Sequence, residues 1–369
     1  MGGRYMGRVI WGAALALAAL VLRLTAPSFP KVTERVYSRG FFKAWSAFWC
    51  RVNGLVPFSV TECSIVILIV AAALCLAGGI VCALRMPERL GRFWKGLLSI
   101  LALVGGIAAL WCMLGGALNY YRLPFTSYSG LEVQKSSTQD LANLCRALGR
   151  QADDLGQQVH RRGNGAMYLP DGFEGACAQV RQGYTALESQ YDGVLSGAVA
   201  ARPKPVRFSR IMSYCRTTGA YSFITGESNI DVDVPAYSIP STVAHELAHV
   251  CGFMREDEAN YIAYAVCRAS GSTDARYSGT MLALIHTLNA LYGADPAAWR
   301  TIRSGLSPAV DRDLNLNNQY WASYDTQVGK VAEQVNDTYL KANDQTDGLQ
   351  SYGRMVDLLL ADFRADGAI

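Results

Sequence analysis

The sequence predicts a mainly helical protein with a small β-sheet, placed behind an N-terminal region of membrane-spanning helices. Long apolar runs fill the first third of the chain, and the overall apolar content is 51%. Beyond those runs, apolar residues recur at three- and four-residue steps, which is the period of a helix. One stretch near the middle is strand-like and is bounded by turn-forming residues.

The chain divides into four regions on these patterns. The first is a membrane region and the second a helical region; the third is the core that carries the chemistry, and the fourth is again helical. Their bounds are 1–121, 122–205, 206–300 and 301–369. Within the third region, residues 206–233 are strand-like, and residues 219–226 predict part of a small sheet.

Three apolar runs predict three membrane-spanning helices, at about residues 9–26, 63–84 and 96–121. The second run contains 22 residues without a charge and the third contains 26, and each is long enough to cross ~30 Å of hydrocarbon. The first has 14 residues between Arg8 and Arg23, so it could instead be the core of a signal peptide. We favour a span because residues 24–27 form a poor cleavage site.

Charge predicts the orientation and excludes one class of partner. The turn at residues 85–95 is short and basic, which places it and the N-terminus in the cytoplasm. Everything after Tyr121 then lies outside the cytoplasm. The net charge is only +4, and no basic stripe with interleaved aromatic residues occurs, so the sequence argues against nucleic acid as a partner.

The ten cysteines contain no CxxC pair. Five of them follow the apolar runs, so at least one of these five has no partner among the others. Cysteine usage leaves the redox compartment open, and a disulfide between Cys145 and Cys177 is one pairing that we consider.

A predicted helix carries the motif His245-Glu246-Leu247-Ala248-His249. Ser241 or Thr242 is its expected N-cap, and Gly252 is a natural terminator. Histidines four residues apart lie one turn apart on the same face, where two imidazoles can reach one zinc ion at ~2.0–2.1 Å. Glu246 can then hold the water that a catalytic zinc site needs.

A catalytic zinc site also needs a third protein ligand. A second helical pattern begins at Glu256, shortly after the motif. We expect Glu256 to be the third ligand, because it shares a helix face with small residues that allow a close approach to the first helix. Asn260 then orients a ligand histidine. Glu258, which shares a face with Ile262 and Ala265, is the fallback ligand.

This motif, followed by Glu256-Asp257-Glu258-Ala259-Asn260, resembles that of the zincin metallopeptidases, and a carboxylate third ligand makes the chain gluzincin-like. In gluzincins the ligand Glu is commonly followed four residues later by Asp or Asn, as Glu256 is by Asn260. The resemblance implies a zincin-like α+β core. Two departures stand out: Arg255 occupies the position of the third ligand of metzincins, and the gap from His249 to Glu256 is shorter than in thermolysin-like enzymes.

The chain also resembles a bacterial family of membrane-anchored proteins whose function is unknown. Agreement covers the apolar N-terminal third and the motifs Asn119-Tyr120-Tyr121-Arg122, Thr225-Gly226-Glu227-Ser228-Asn229, Asn336-Asp337-Thr338-Tyr339-Leu340-Lys341 and Ser351-Tyr352-Gly353. This resemblance covers most of the chain. It implies a multi-pass protein of the bacterial cytoplasmic membrane, with the lipid bilayer as a partner.

The zincin resemblance implies a zinc metalloendopeptidase with Zn²⁺ as cofactor and Glu246 as general base. The expected substrate is a membrane-proximal polypeptide outside the cytoplasm, lying extended along an edge strand. Tyr221, Ser222 and Phe223 are the candidates for that strand.

Two alternatives remain open at this point. The chain could be a zinc-binding membrane sensor or scaffold without turnover, although a purely structural site has no need of Glu246. It could also be a membrane assembly factor in which the motif is incidental, and this reading predicts no bound metal.

Overall fold

The computed structural model describes residues 2–343, 345 and 354–366. As predicted, it is mainly helical with a small sheet. The helices are α1 (Gly2–Thr25), α2 (Pro30–Val32), α3 (Lys43–Gly54), α4 (Val60–Arg85), α5 (Pro87–Gly115), α6 (Thr126–Ser129), α7 (Thr138–Gly156), α8 (Gly172–Leu187), α9 (Ser209–Tyr214), α10 (Ile239–Val250), α11 (Glu256–Ala269), α12 (Thr273–Ala294), α13 (Pro296–Ser304), α14 (Pro308–Ala322), α15 (Gln327–Ala342) and α16 (Met355–Asp366). The motif at residues 351–353 lies outside the described residues.

Three helices are long and apolar enough to cross a membrane, and they cover Gly3–Ser28, Val60–Arg85 and Pro87–Gly115. Each coincides with one of the predicted runs. The third begins earlier than its charge-free run, because Pro87 starts α5 immediately after α4. It also ends earlier, because Ala117–Tyr121 forms a 3₁₀ turn whose side chains are buried against the rest of the protein.

The first and third apolar helices run parallel to one another. Tyr5 lies beside Gly96, and Gly12 lies against Gly106 further along both helices. The turns that follow them, Ala26–Ser28 and Ala117–Tyr121, are also in contact. Because α4 and α5 form an antiparallel pair about Met86, the last turns of α1 and α5 and the first turn of α4 lie at one end of the bundle.

The segment between α1 and α4 lies between the apolar helices and the remainder of the chain. It contains a π-helix at Thr33–Phe42 followed by α3. Trp45 and Trp49 of this segment stack edge-on with Trp111 of α5 at centroid distances of 4.6 and 5.9 Å. Tryptophan clusters of this kind are typical of a membrane–water boundary.

The sheet has three short strands, β1 (Lys204–Pro205), β2 (Gly219–Tyr221) and β3 (Ser228–Ile230), in the order β1-β3-β2. β3 pairs in parallel with β1 and antiparallel with β2, with Ala220 opposite Asn229. β2 is therefore an edge strand. The hairpin that joins β2 to β3 falls within the stretch 219–226, where the sequence predicts strand.

The main core surrounds α11, which contacts α8, α10, α12 and α16. Tyr261 and Tyr264 are among its largest fully buried side chains. All ten cysteines lie in the described part of the chain and all are free thiols, so the disulfide considered between Cys145 and Cys177 is wrong. The two residues sit on different helices, α7 and α8, and both are buried in the apolar core.

The β2–β3 hairpin joins the apolar helices to the core. The carboxylate of Glu227 is buried and accepts hydrogen bonds from the backbone N–H groups of Val60 (3.0 Å) and Thr61 (2.7 Å), at the start of α4. An anion at a helix N-terminus satisfies donors that have no partner inside the helix and interacts favourably with the helix dipole. The next residue, Ser228, donates from its hydroxyl to the carbonyl of Glu246 in α10 (3.0 Å). A single strand therefore connects α4 to the motif helix.

We predict that Glu227→Ala lowers the free energy of unfolding by about 1–3 kcal/mol, because it leaves buried N–H donors of α4 without an acceptor. The measurement is thermal unfolding of the full-length protein in detergent. Glu174→Ala is the matched control, since the Glu174 side chain is 63% exposed and its nearest ion-pair distance is 3.8 Å. Equal stability of the two variants would contradict the role given to Glu227.

Candidate metal centre

The motif helix α10 begins at Ile239 and not at the expected N-cap. Ser238 is the N-cap residue, and Pro240 lies within the first turn. The N-cap predicted at Ser241 or Thr242 is therefore wrong, because the 3₁₀ turn Ala236–Ser238 leads directly into α10 and proline is tolerated in a first helical turn. The helix ends as predicted before Gly252, which has φ +85°.

The two motif histidines face one another across one turn of α10. Their Nε2 atoms are 3.1 Å apart. His249 Nδ1 lies 2.7 Å from the carbonyl oxygen of Phe253, which can only accept, so this nitrogen carries a hydrogen. His245 Nδ1 lies 2.8 Å from Oδ1 of Asn260 and donates to it in the same way. Both hydrogen bonds direct the Nε2 atoms towards a common point.

Glu256, the first residue of α11, brings a carboxylate to the same point. Its Oε2 lies 3.1 Å from Nε2 of His245 and 4.0 Å from Nε2 of His249. The three side chains are only 9–13% exposed. Ligands ~2.0–2.1 Å from one zinc ion in tetrahedral geometry lie roughly 3.3 Å apart, so two nitrogens and one oxygen at these separations fit a zinc ion.

Glu258 is turned away from this point. Residues two apart on a helix project about 200° from each other, so the side chains of Glu256 and Glu258 leave α11 on opposite sides. Oε1 of Glu258 accepts from the backbone N–H of Phe125 (2.8 Å) and from Arg255 (3.2 Å). The structure thus brings Glu256 to the histidines and uses Glu258 to hold a neighbouring loop.

Glu246 is buried next to the histidines. It forms with them a group of potential metal ligands whose donor atoms all lie within 4.8 Å of one another. Its Oε2 atom has no hydrogen-bond partner in the described part of the chain. On its other side lies Gly219 of β2, where a Cβ atom would collide with the Glu246 carboxylate. Burying a carboxylate oxygen without a hydrogen-bond partner costs free energy. At a catalytic centre such an oxygen can serve to accept a proton.

Burial and mutual contact strongly shift the pKa values of these groups. Burial raises the pKa of Glu246 to about 8. Burial lowers the pKa of His245, but the hydrogen bond and charge of Glu256 outweigh it and raise that pKa to about 9. Burial lowers the pKa of His249 to about 4. These shifts favour a proton on His245 at neutral pH, and its Nε2 atom lies within 3.1 Å of both His249 and Glu256.

The candidate substrate strand is only partly a strand. β2 ends at Tyr221, whose ring centroid is 6.3 Å from that of His249. Ser222 turns back to Glu227, since its N–H donates to that residue's carbonyl (2.9 Å). Phe223 packs on Gly115 and Gly116 at the end of α5. Only the first part of the predicted segment lies beside the metal site.

Hydrogen bonding to β3 leaves part of β2 open. The pairs Thr218–Asp231 and Ser222–Glu227 are both hydrogen-bonded. In an antiparallel ladder such pairs alternate, so the backbone groups of Gly219 and Tyr221 point away from β3. They form the open edge next to Glu246 and His249.

Arg122 contributes to the site although the sequence analysis assigned it no role. Its guanidinium forms a buried ion pair with Glu34 (2.7 Å), donates to the carbonyl of Cys251 (3.0 Å) and lies 4.0 Å above the Phe253 ring. It therefore fixes the turn that presents the Phe253 carbonyl to His249. Arg122 belongs to the motif Asn119-Tyr120-Tyr121-Arg122, which resembles the family but by itself indicates no role for the arginine.

Comparison with protein families identifies a match over residues 37–360 to a family described as Protein of unknown function (DUF3810). The chain belongs to this family. The match begins inside the π-helix and includes α4, α5, the hairpin and all residues of the candidate metal centre. No curated protein and no solved structure matches the chain significantly. Membership in DUF3810 carries no activity with it, so the function has to be argued from the site.

We predict that zinc affinity rises with pH between about 6 and 8, by roughly tenfold per pH unit for each proton displaced. Below its pKa of about 9, His245 holds a proton that a metal must displace, and the proton on Glu246 is released near a dication. Competition with a chelator of known pH dependence measures this. A zinc affinity independent of pH over this range would contradict the protonation assigned to His245.

Proposed function

We propose that this protein is a membrane-anchored zinc metallopeptidase that hydrolyses peptide bonds of polypeptides close to the membrane. The observation that carries the proposal is the placement of Glu246, a buried carboxylate with one oxygen that has no hydrogen-bond partner among the described residues. It lies beside two imidazole nitrogens and a second carboxylate that fit a zinc ion. A site that only stabilises a fold is usually closed by Cys and His ligands and has no need of an additional base.

His245, His249 and Glu256 would hold the zinc, with Asn260 and the Phe253 carbonyl fixing the two imidazole rings. When bound, zinc supplies Lewis-acid polarisation of the scissile carbonyl and lowers the pKa of water. Glu246, ionised in the presence of a dication, takes a proton from the attacking water. The same carboxyl then returns the proton to the leaving amine, so that one peptide and one water become an acid and an amine.

The edge strand β2 supports a polypeptide as substrate. The backbone groups of Gly219 and Tyr221 that point away from β3 can pair with an extended chain, which would place its carbonyls along the side of the metal site. Main-chain pairing of this kind does not depend on the substrate's side chains. Specificity then has to come from the surfaces on either side of the strand.

The same proposal places the site at a membrane. α1, α4 and α5 would cross the bilayer, and their packing supports this, since a chain crossing three times has its first and third spans parallel. The basic turn around Met86 would lie in the cytoplasm and the metal centre at the outer surface of a bacterial cytoplasmic membrane. Trp111 donates to the carbonyl of Ile224 (2.9 Å), so the hairpin beside the site rests on the end of α5.

We predict that the full-length protein in detergent binds close to one zinc ion per chain, measured by metal mass spectrometry. His245→Ala and Glu256→Gln lose the metal because each removes a ligand. Glu246→Gln keeps it, and so does Glu258→Gln, the matched control for Glu256. A well-folded wild-type protein without zinc would contradict the proposal.

The activity arm uses casein as an unstructured probe, with cleavage products detected by mass spectrometry. Glu246→Gln is expected to lower the rate by about 10²–10⁴-fold with zinc still bound, because only the base is lost. Zinc binding by all forms with no cleavage of any probe would favour a sensor or scaffold instead.

We further predict that Gly219→Ala lowers the cleavage rate by about 100-fold while zinc content is unchanged. The added methyl group displaces the Glu246 carboxylate, and a misplacement of about 1 Å has an effect of this size. Gly163→Ala is the control, because a Cβ there has no neighbour within 4 Å. Retention of full activity in Gly219→Ala would remove Glu246 from the mechanism.

A further inference from the structure

The surface of helix α15 has three faces. In a helix between protein and water the apolar face is the packed one, whereas the apolar face of α15 is exposed. Gly329 and Leu340 are buried and mark the face that packs on the protein. Three other apolar residues, Val328, Val331 and Val335, lie on a different face and are 57–64% exposed. At 100° per residue these valines form one stripe, centred roughly 130° from the packed face.

The remaining third of α15 is charged. Lys330 and Lys341 are more than half exposed and lie on the side away from the valine stripe. A helix between protein and water needs two faces, one apolar and packed and one polar. A third, exposed apolar face is characteristic of a helix that also lies in the interface of a bilayer.

The C-terminal end of α15 is attached to the ends of α1 and α5. The guanidinium of Arg23, in the last turn of α1, donates to the carbonyl of Ala342. The hydroxyl of Tyr339 lies 3.3 Å from that of Tyr120, in the turn after α5. This end of α15 is therefore at the level where α1 and α5 finish.

The N-terminal half of α15 is attached to the segment just after α9, and α9 begins beside α4. Arg216, just after α9, forms an ion pair with Glu333 (2.6 Å). At the start of α9, the N–H group of Phe208 donates to Glu62 in the first turn of α4 (2.8 Å). Both halves of α15 are thus linked to one end of the apolar helix bundle, where α1 and α5 end and α4 begins. We infer that α15 lies across this end of the bundle.

Helix α9 continues the same exposed apolar surface. Phe208, Ile211 and Tyr214 are all about half exposed or more, and Tyr214 stacks on Tyr324 (centroids 4.9 Å apart) just before α15. These six exposed apolar side chains of α9 and α15 would lower solubility if they faced water as one patch. Because α9 is attached to the start of α4 and α15 to the end of α1, the lipid that surrounds those helices is the expected covering.

We propose that α9 and α15 are in-plane membrane helices, whose apolar faces enter the leaflet at which α1 ends and α4 begins. This rests on α1, α4 and α5 crossing the bilayer and is independent of peptidase activity. Val331 and Val335 lie in the headgroup–acyl boundary, within about 5–10 Å of the surface, and Lys330 remains in water. The bilayer thereby holds α15, and with it Tyr339, against the side of the core that carries Glu256.

The test uses full-length protein reconstituted singly in bilayer nanodiscs. A dansyl amino acid is incorporated at position 335, or in a second sample at position 331, and the matched control carries it at position 330. Phosphatidylcholine with a nitroxide near the top of the acyl chain is the lipid quencher, and iodide is the aqueous quencher. Thermal unfolding confirms that each labelled protein is folded.

The expected result is lipid quenching about threefold or more stronger at positions 331 and 335 than at 330, with the opposite order for iodide. Equal quenching at the three positions would overturn the proposal. Protection of 331 and 335 from both quenchers would also overturn it, because the stripe would then be covered by protein, such as a second copy of the chain. None of these outcomes depends on zinc or on cleavage.

Discussion

The arrangement of the core around α10 and α11 depends most on holding three electron-rich atoms close together around one point. These atoms are Nε2 of His245, Nε2 of His249 and Oε2 of Glu256. They lie 3.1–4.0 Å from one another in a site that is almost closed to solvent. Such atoms repel one another unless a cation lies between them, and the carboxylate of Glu256 accordingly raises the pKa of His245. The hydrogen bonds from Asn260 and the Phe253 carbonyl, together with the reversal of the chain between α10 and α11, maintain this arrangement.

The same small region also attaches the core to the apolar helices. Glu227 accepts from the first turn of α4, and its neighbour Ser228 donates to the carbonyl of Glu246. On the opposite side of α10, Arg122 connects the end of α5 to the turn that orients His249. Two short motifs therefore connect the candidate metal centre to the apolar helices and fix its position relative to them.

Much of the local chemistry could be predicted from the sequence. The spacing of His245 and His249 is enough to place two imidazoles on one face, because helix geometry is regular. The choice between Glu256 and Glu258 rested on helix faces alone, and the structure adds that Glu258 is held by the Phe125 backbone. The positions of the apolar helices were predictable from hydropathy, but the end of α5 was not, because Ala117–Tyr121 is apolar for packing against protein and not against lipid.

Other features depend on contacts between residues distant in sequence and give no local signal. The start of α10 was misplaced because a preceding 3₁₀ turn merges with it. The contact of Gly219 with Glu246 and the ion pair of Arg122 with Glu34 join residues 27 and 88 positions apart and exist only in the folded chain.

The most direct test of the central claim is X-ray absorption spectroscopy at the zinc edge on the full-length protein. The account predicts a shell of nitrogen and oxygen ligands at about 2.0–2.2 Å, with the multiple scattering of two imidazole rings. It also predicts that His245→Ala loses the zinc, and this spectrum with it. A shell containing sulfur at about 2.3 Å, or a spectrum unchanged by His245→Ala, would place the metal elsewhere in the chain and contradict the account.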